Sequence, residues 1–347
     1  MNKPQRVVVI GYGFAGRSFH SYLVGLVPDL ALHGILVRDP ERRGCAQSEH
    51  PECRLYDTFE QVCADPDVDL VILATPSNVH AGLSVQALEA GKNVVTDKVM
   101  CLSLAECDRM IAAAERSGKL LTVFQNRRWD GDFLTLRQLI SDGDLGDVKW
   151  IEMAWQGFGP WGGWRGKAAM GGGRFYDLGA HLIDQMCLLF PQPIESVYCR
   201  MHHDYDPARS DTESEALVIV TFANGRTGVC DLSGMAAISK PRFYAKGDRA
   251  TFQKFGLDPQ ENAMKAGDID SAIEDPANYG RLKGPDGERT APTLPGRWRN
   301  FYENVADVLV RGASPAVTLP SVRRQISVMD AALRSAQTGQ VVRLEQK

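Results

Sequence analysis

The N-terminal stretch up to Leu26 restricts the possible folds more than any other part of the sequence. Arg6–Ile10 is a short, continuously apolar run, Gly11-Tyr-Gly-Phe-Ala-Gly16 follows at once, and Arg17–Leu26 has a helical pattern. Such a β-branched run is typical of a parallel strand covered on both faces. Glycines at these positions permit a tight turn, approach of the backbone to a pyrophosphate, and close helix–strand packing. We therefore predict that this turn binds a dinucleotide, which would be contacted by Gly11, Gly13, Phe14, Ala15 and Gly16.

Strands and helices continue to alternate after this turn. Further strands are predicted at Leu30–Val37, Asp69–Ala74, Asn93–Thr96 and Leu120–Phe124, with helices between them. This alternation is typical of a doubly wound parallel sheet. The sequence thus predicts an α/β fold that begins with a Rossmann domain over residues 1–125.

The pattern changes in residues 126–347, which we predict to be a second domain. Strands joined by short turns, such as Glu215–Ala223 and Gly225–Ser233, indicate a mostly antiparallel sheet. The segment Asp258–Pro295 is rich in Pro, Gly, Asp and Asn, which predicts a long surface segment. A predicted helix at 321–337 could pack back on the first domain.

Composition and charge exclude several functional classes. Lys and Arg number 39 and Asp and Glu 43, for a net charge of −4, so the chain lacks the basic footprint of a nucleic-acid-binding protein. The eight cysteines form no Cys-x-x-Cys pair, which indicates buried thiols in a reducing compartment. We see no signal peptide and no apolar run long enough for a membrane helix, and we expect a soluble cytoplasmic protein.

Charged residues follow the predicted second strand, where the adenosine ribose of a dinucleotide would lie. Arg38 comes first, Asp39 is next, and Arg42 and Arg43 are close by. An acidic residue there would bind a ribose 2′-hydroxyl, whereas an arginine would accommodate a 2′-phosphate. We favour NADP, bound by Arg38, with NAD as the alternative. A second interpretation is that these are solvated charges at the start of a helix after Pro40.

Two further segments follow strands and should reach the same sheet edge, where ligands bind in open α/β folds. Thr75, Pro76, Asn78 and His80 lie in the first, although Ser77 or Asn78 could simply cap the next helix. Asp97 and Lys98 lie in the second. A lysine ammonium at this edge can stabilise an alkoxide or polarise a carbonyl, but a lone lysine can equally be a solvated surface group.

A glycine-rich loop leads into a third candidate segment. If residues 176–190 are helical, Asp177, His181 and Asp184 share one face. A carboxylate beside an imidazole raises its basicity, which makes His181 a candidate general acid/base. The alternative is that Asp177 caps the helix and His181 is an ordinary hydrogen-bonded histidine.

These motifs together resemble the Gfo/Idh/MocA family of NAD(P)-dependent oxidoreductases, over essentially the whole chain. The resemblance depends on four motifs that occur in the family's order and spacing: Gly11–Gly16, Ala74–His80, Asp97-Lys98 and Asp177-x-x-x-His181. Segments from Gln125 to Asp130, at Trp164-Arg165 and at Tyr176–Gly179 are most similar to its NADP-dependent scyllo-inositol dehydrogenase subgroup. The family's Glu-Lys-Pro motif corresponds to Asp97-Lys98-Val99, so the Glu is shortened and the Pro is replaced by Val.

The resemblance implies a Rossmann domain followed by an α/β domain with a large open sheet, through which homodimers or homotetramers form. It implies reversible hydride transfer between a nicotinamide and a secondary alcohol of a sugar or cyclitol, without a metal. His181 would take the hydroxyl proton, Lys98 would stabilise the alkoxide and Asp177 would orient the pair. The substrate would be bound by Lys98, Arg127, Trp164, Arg165, Asp177 and His181.

Two other functions stay open at this point. The chain could be a non-catalytic NADP-binding sensor or regulator, although it keeps both Lys98 and His181. It could also be a reductase for a carbonyl substrate that is not a sugar.

Overall fold

The computed structural model describes residues 3–344 and divides the chain into two compact units. The first contains the described residues up to Gln125 together with Trp298–Arg323. The second contains Asn126–Arg297 and the described residues from Arg324 onward. Each unit has its own β-sheet.

The first unit is built on a six-stranded parallel sheet with the strand order β3-β2-β1-β4-β5-β6. The predicted doubly wound parallel sheet is confirmed. Strand β1 lies in the middle, and Val7, Val8 and Val9 are fully buried, as a continuous apolar run requires. The strand order reverses between β1 and β4, the type of position at which such sheets bind ligands. The strands are β1 (Gln5–Ile10), β2 (Leu30–Leu36), β3 (Arg54–Tyr56), β4 (Leu70–Leu73), β5 (Asn93–Thr96) and β6 (Leu121–Val123).

Helices connect these strands. The first begins as a π-helical turn at Ala15–Ser21, directly after the glycine turn, and continues as α1 (Tyr22–Gly25). The others are α2 (Pro40–Glu49), α3 (Phe59–Ala64), α4 (His80–Glu89) and α5 (Leu104–Ser117). Helix α2 has Asp39 as its N-cap and Pro40 in its first turn, the arrangement that favours helix initiation.

A distant segment, Trp298–Arg323, completes the first unit. Aromatic side chains attach it: Phe19 stacks on Trp298 with ring centroids 5.6 Å apart, and Phe124 meets Phe301 edge-on at 5.1 Å. From the sequence we expected that a helix at 321–337 could pack back on this unit, and its residues up to Arg323 do belong to it. In the structure this packing is made by the segment that contains α9 (Arg299–Arg311), and the later helix belongs to the second unit from Arg324 on. The difference arises because buried aromatic contacts across distant segments leave no local periodic signal.

The second unit is built on a nine-stranded sheet with the order β14-β13-β12-β11-β7-β10-β9-β8-β15. Only β7 and β10 pair in parallel, so the predicted mostly antiparallel sheet is confirmed. The strands are β7 (Trp150–Gln156), β8 (Ile194–His202), β9 (Glu215–Phe222), β10 (Arg226–Ser233), β11 (Phe243–Lys246), β12 (Thr251–Lys254), β13 (Gly280–Gly284), β14 (Gly287–Ala291) and β15 (Val342–Arg343).

The predicted surface segment 258–295 is more ordered than its composition indicates. It contains helix α8 (Gln260–Lys265), and Gly280–Ala291 forms a hairpin that adds β13 and β14 to the sheet edge. The segment is largely exposed, as expected of a surface segment, but the hairpin was not predicted. Residues 287–290 are all exposed, so the strand has no alternating apolar pattern.

Three longer helices belong wholly or mainly to the second unit: α6 (Gly131–Ser141), α7 (Ala180–Leu189) and α10 (Leu319–Thr338). Among residues 3–344 no helix is both long and apolar enough to cross a membrane.

Candidate cofactor-binding and catalytic site

The glycine turn has the geometry that the motif demands. Gly11 adopts a φ of 95°, which favours glycine, and a Cβ there would overlap the carbonyl oxygen of Ala74. A Cβ on Gly16 would overlap the carbonyl oxygen of Gly11. The turn is thus packed against the end of β4, and Phe14 at its tip is 46% exposed. This leaves the start of the following helix available for a phosphate group.

The charged residues after β2 divide into two sets. The Asp39 carboxylate accepts a hydrogen bond of 2.9 Å from the Arg42 amide, and Arg43 donates to the Tyr56 carbonyl and to Asp57. Arg38 is exposed, and Arg42 Nη1 lies 3.4 Å from the position that a Cβ on Gly13 would occupy. Asp39 is therefore engaged in capping, whereas Arg42 lies beside the glycine turn and Arg38 is exposed after β2.

The segment after β4 contacts both the glycine turn and the residue after Lys98. The position of a Cβ on Gly11 is 3.7 Å from Thr75 Cγ2, while Asn78 is exposed. His80 is fully buried, with Nδ1 2.8 Å from the Val99 carbonyl oxygen and Nε2 2.9 Å from that of Thr75. Burial lowers the pKa of His80. Its imidazole is committed to the backbone, so this predicted cofactor contact is better described as a support for two neighbouring loops.

Asp97 and Lys98 follow β5 at the same edge of the sheet. The Asp97 carboxylate accepts a hydrogen bond of 2.7 Å from the Lys98 amide, and the Lys98–Val99 peptide bond is cis. Burial by itself raises the pKa of Asp97, but His20, Lys98 and His80 together lower it to about 2. The carboxylate is therefore ionised at neutral pH. The first unit thus brings the glycine turn, Thr75 and the Asp97-Lys98 pair to one sheet edge.

Helix α7 carries His181 and is anchored in the second unit by buried polar contacts. Arg128 forms a two-pronged ion pair with Asp184, with Nε 2.8 Å from Oδ2 and Nη2 2.6 Å from Oδ1. Gln185 donates to the Arg127 carbonyl at 2.7 Å and Gln325 to the Ala180 carbonyl at 2.8 Å. Such contacts fix the rotation of the helix and hence the position of its side chains.

The predicted substrate residues Trp164, Arg165 and Asp177 lie together. Arg165 Nε is 3.2 Å from Asp177 Oδ2, and the Arg165 guanidinium lies 4.8 Å from the centre of the Trp164 ring. Asp177 stands in a π-helical turn, Phe175–Gly179, rather than in the regular helix that the spacing argument assumed. Its carboxylate accepts a hydrogen bond from Arg165, and an orienting action on His181 stays a prediction.

Arg127 is buried rather than open to a substrate. Its guanidinium is 3.2 Å from Asp130 and 3.3 Å from Glu261, and it stacks 4.5 Å over the Trp155 ring. The sequence interpretation placed it among the substrate contacts because polyol recognition needs hydrogen-bond donors, and it could not show that Glu261 and Trp155 lie nearby.

Trp155, Arg242 and Glu213 were missed by the sequence argument. The Arg242 guanidinium also stacks on Trp155, at 4.4 Å, and the Trp155 ring is inclined by 29° to that of His181, with centroids 6.2 Å apart. Burial lowers the pKa of Arg242 to about 10. Glu213 accepts a hydrogen bond of 2.6 Å from the Phe175 amide and so caps the turn that carries Asp177. No local motif marks these residues, since their partners are distant in sequence.

Lys98 lies in the first unit and His181 in the second. A glycine turn that joins the central strand of a parallel sheet to a helix, beside the point where the strand order reverses, is typical of dinucleotide-binding α/β proteins.

Comparison with known proteins identifies the family. Residues 5–125 match the oxidoreductase family with an NAD-binding Rossmann fold, and residues 133–253 match the GFO/IDH/MocA C-terminal domain. The chain therefore belongs to the GFO/IDH/MocA family of oxidoreductases, as the sequence motifs predicted.

Individual relatives are similar over most of the chain. The scyllo-inositol 2-dehydrogenase (NADP(+)) IolW of Bacillus subtilis is 30% identical over 98% of this chain and 96% of its own. The myo-inositol 2-dehydrogenase of Thermotoga maritima is 26% identical over 71% of this chain and 76% of its own. The solved structure of yvaA from Bacillus subtilis has a TM-score of 0.91 and 28% identity, and it covers 99% of each chain.

Proposed function

We propose that this protein is an NADP-dependent dehydrogenase that transfers hydride reversibly between the nicotinamide and a secondary alcohol of a cyclitol or sugar. The observation that carries the proposal is that the glycine turn after β1, Arg38 after β2 and Lys98 after β5 all follow strands of one parallel sheet and so belong to its carboxyl edge. The similarity to inositol dehydrogenases supports the substrate class.

In this mechanism the cofactor supplies hydride chemistry, and the protein supplies binding and proton transfer. The start of the helix after the glycine turn would receive the pyrophosphate, and Arg38 with Arg42 would neutralise the 2′-phosphate. His181 would accept the hydroxyl proton as hydride leaves, and Lys98 would stabilise the developing alkoxide. Trp164 and Arg165 would contact the polyol, whose recognition needs donors beside an apolar face.

A substrate screen tests the proposal. Inositols, aldoses and sugar acids are each assayed with NADP and NAD, and we expect reduction of NADP with a cyclitol such as scyllo-inositol. Absence of turnover with every polyol, while NADPH still binds, would support the non-catalytic sensor instead. Turnover restricted to reduction of carbonyls that are not sugars would support the other alternative.

Cofactor choice is tested by a matched pair of arginine substitutions. Arg38→Ala should raise the Michaelis constant for NADP by about tenfold or more and leave that for NAD almost unchanged, because a charge-assisted hydrogen bond is worth about 1.5–3 kcal/mol. Arg43→Ala is the control, since that side chain is bonded to Tyr56 and Asp57. A wild-type protein that strongly prefers NAD would contradict the assignment.

Assembly and location are also proposals. We expect a homodimer or homotetramer formed through the nine-stranded sheet, which light scattering can measure. All eight cysteines are unpaired, in keeping with a reducing, cytoplasmic environment.

A further inference from the structure

A buried histidine stands behind the Asp97-Lys98 pair and belongs to none of the motifs. His20 lies in the π-helical turn Ala15–Ser21, directly after the glycine turn, and its side chain is fully buried. Its Nδ1 is 2.6 Å from the Tyr302 hydroxyl, and its ring centroid is 4.6 Å from that of Phe124. The imidazole therefore has a fixed orientation.

The other ring nitrogen of His20 faces Asp97. Nε2 lies 3.6 Å from Asp97 Oδ2 and has no hydrogen-bond partner within residues 3–344. This distance is long for a hydrogen bond, so the contact is electrostatic. Burial raises the pKa of Tyr302 well above its usual range, which keeps the hydroxyl protonated and able to donate to Nδ1. We assign the Tyr302 hydroxyl as the donor to Nδ1, and with that assignment Nε2 is the nitrogen that can donate toward the carboxylate.

The Asp97 carboxylate connects His20 to the backbone of Lys98. One carboxylate oxygen faces His20, and the other accepts the hydrogen bond from the Lys98 amide. On the far side, the Val99 carbonyl is contacted by His80. The charged and titratable groups near His20 and Asp97 include Lys98, His80 and Tyr302, all of which belong to the first unit.

We propose that His20 is a positioning residue that acts through Asp97 to fix Lys98, and that it links this lysine to the helix which receives the cofactor phosphates. This inference rests on the proposed function, since it assumes that Lys98 takes part in hydride transfer. It also explains how Asp97, which is shorter than the Glu of the Glu-Lys-Pro motif, is held in place. Its carboxylate lies beside the buried imidazole of His20.

Two substitutions of His20 by amide side chains of different length, His20→Gln and His20→Asn, provide the test. The amide nitrogen of Gln reaches approximately the position of Nε2, whereas that of Asn reaches approximately the position of Nδ1. His20→Gln therefore keeps a donor toward Asp97, whereas His20→Asn keeps a polar atom beside the Tyr302 hydroxyl and no donor toward Asp97. Both variants place a similar polar group in the same buried position, so a general packing effect should be common to them.

The first readout needs no substrate. In protein labelled with ¹³C at the Asp carboxyl carbons, the Asp97 signal, assigned by its loss in Asp97→Asn, should titrate hardly at all between pH 7 and 3 in the wild type. In His20→Asn the pKa of Asp97 should rise by about one unit or more, because burial is no longer offset by His20. His20→Gln should restore most of the wild-type behaviour. An unchanged Asp97 titration in His20→Asn would overturn the proposal.

The second readout is turnover of scyllo-inositol with NADP. His20→Asn should lower kcat about tenfold, as a misplaced catalytic group does, while NADPH binding changes less than threefold and His20→Gln retains most activity. Equal losses in both variants would overturn the proposal in favour of packing, and a parallel loss of NADPH binding would overturn it in favour of cofactor binding. If the wild type turns over no polyol, the proposed function fails, and the Asp97 titration still decides whether His20 holds the carboxylate.

Discussion

Lys98→Met and His181→Ala are each expected to lower turnover by about two orders of magnitude or more. Oxidation of an alcohol requires a proton acceptor as hydride leaves, and general acid–base catalysis contributes roughly 10²–10⁴-fold. A cation directed at the developing alkoxide contributes roughly 10²–10³-fold. Rates are measured with scyllo-inositol and NADP, and NADPH binding is followed by fluorescence titration. Binding should change little, because neither residue belongs to the glycine turn or to the arginines after β2.

Asp177→Asn is the matched comparison for this pair. Asp177 lies 3.2 Å from Arg165, so its loss should perturb the neighbouring loop and cost less than the loss of His181. The double substitution of Lys98 and His181 should be much less than multiplicatively worse, because the two residues act on one transition state. Near wild-type turnover in His181→Ala would remove this residue from the chemistry and leave a structural histidine.

Breaking the buried Arg128–Asp184 ion pair is expected to destabilise the protein by about 3–5 kcal/mol, since either partner alone is left as an uncompensated buried charge. The Arg128 and Asp184 side chains are 7% and 3% exposed. Arg128→Met should show this loss in urea unfolding followed by tryptophan fluorescence. Adding Asp184→Leu should recover part of the stability, because two apolar side chains then replace the pair.

An exposed ion pair supplies the control for this experiment. Arg116 and Glu89 are 62% and 59% exposed and 3.4 Å apart, so Arg116→Met should cost less than about 1 kcal/mol. A loss in Arg128→Met no larger than that of Arg116→Met would show that Arg128 does not anchor helix α7.

Local patterns were sufficient to predict the first sheet and the residues at its edge. Continuous apolar runs indicated where the strands lie. The glycine spacing indicated the turn, because a side chain at Gly11 or Gly16 would overlap backbone atoms. Strand ends could be located, so the positions of Thr75 and Lys98 at one edge followed from parallel connectivity alone.

The contacts that complete the sites required the tertiary structure. His20 meets Tyr302, Arg127 and Arg242 stack on Trp155, and Phe19 meets Trp298, each pair being far apart in the chain. The exposed hairpin strand Gly287–Ala291 likewise depends on its sheet partner rather than on its own pattern.

The sequence by itself determined the fold class, the glycine turn and the candidate chemical groups, because periodicity and steric limits act over a few neighbouring residues. Only the tertiary structure decided which charges are held by partners and which stay exposed. Asp39 became a helix cap and Arg127 a buried ion-pair partner, while Arg38 remained exposed. The physical reason is that a buried charge requires a partner, and the partner is chosen by packing between segments that the sequence separates.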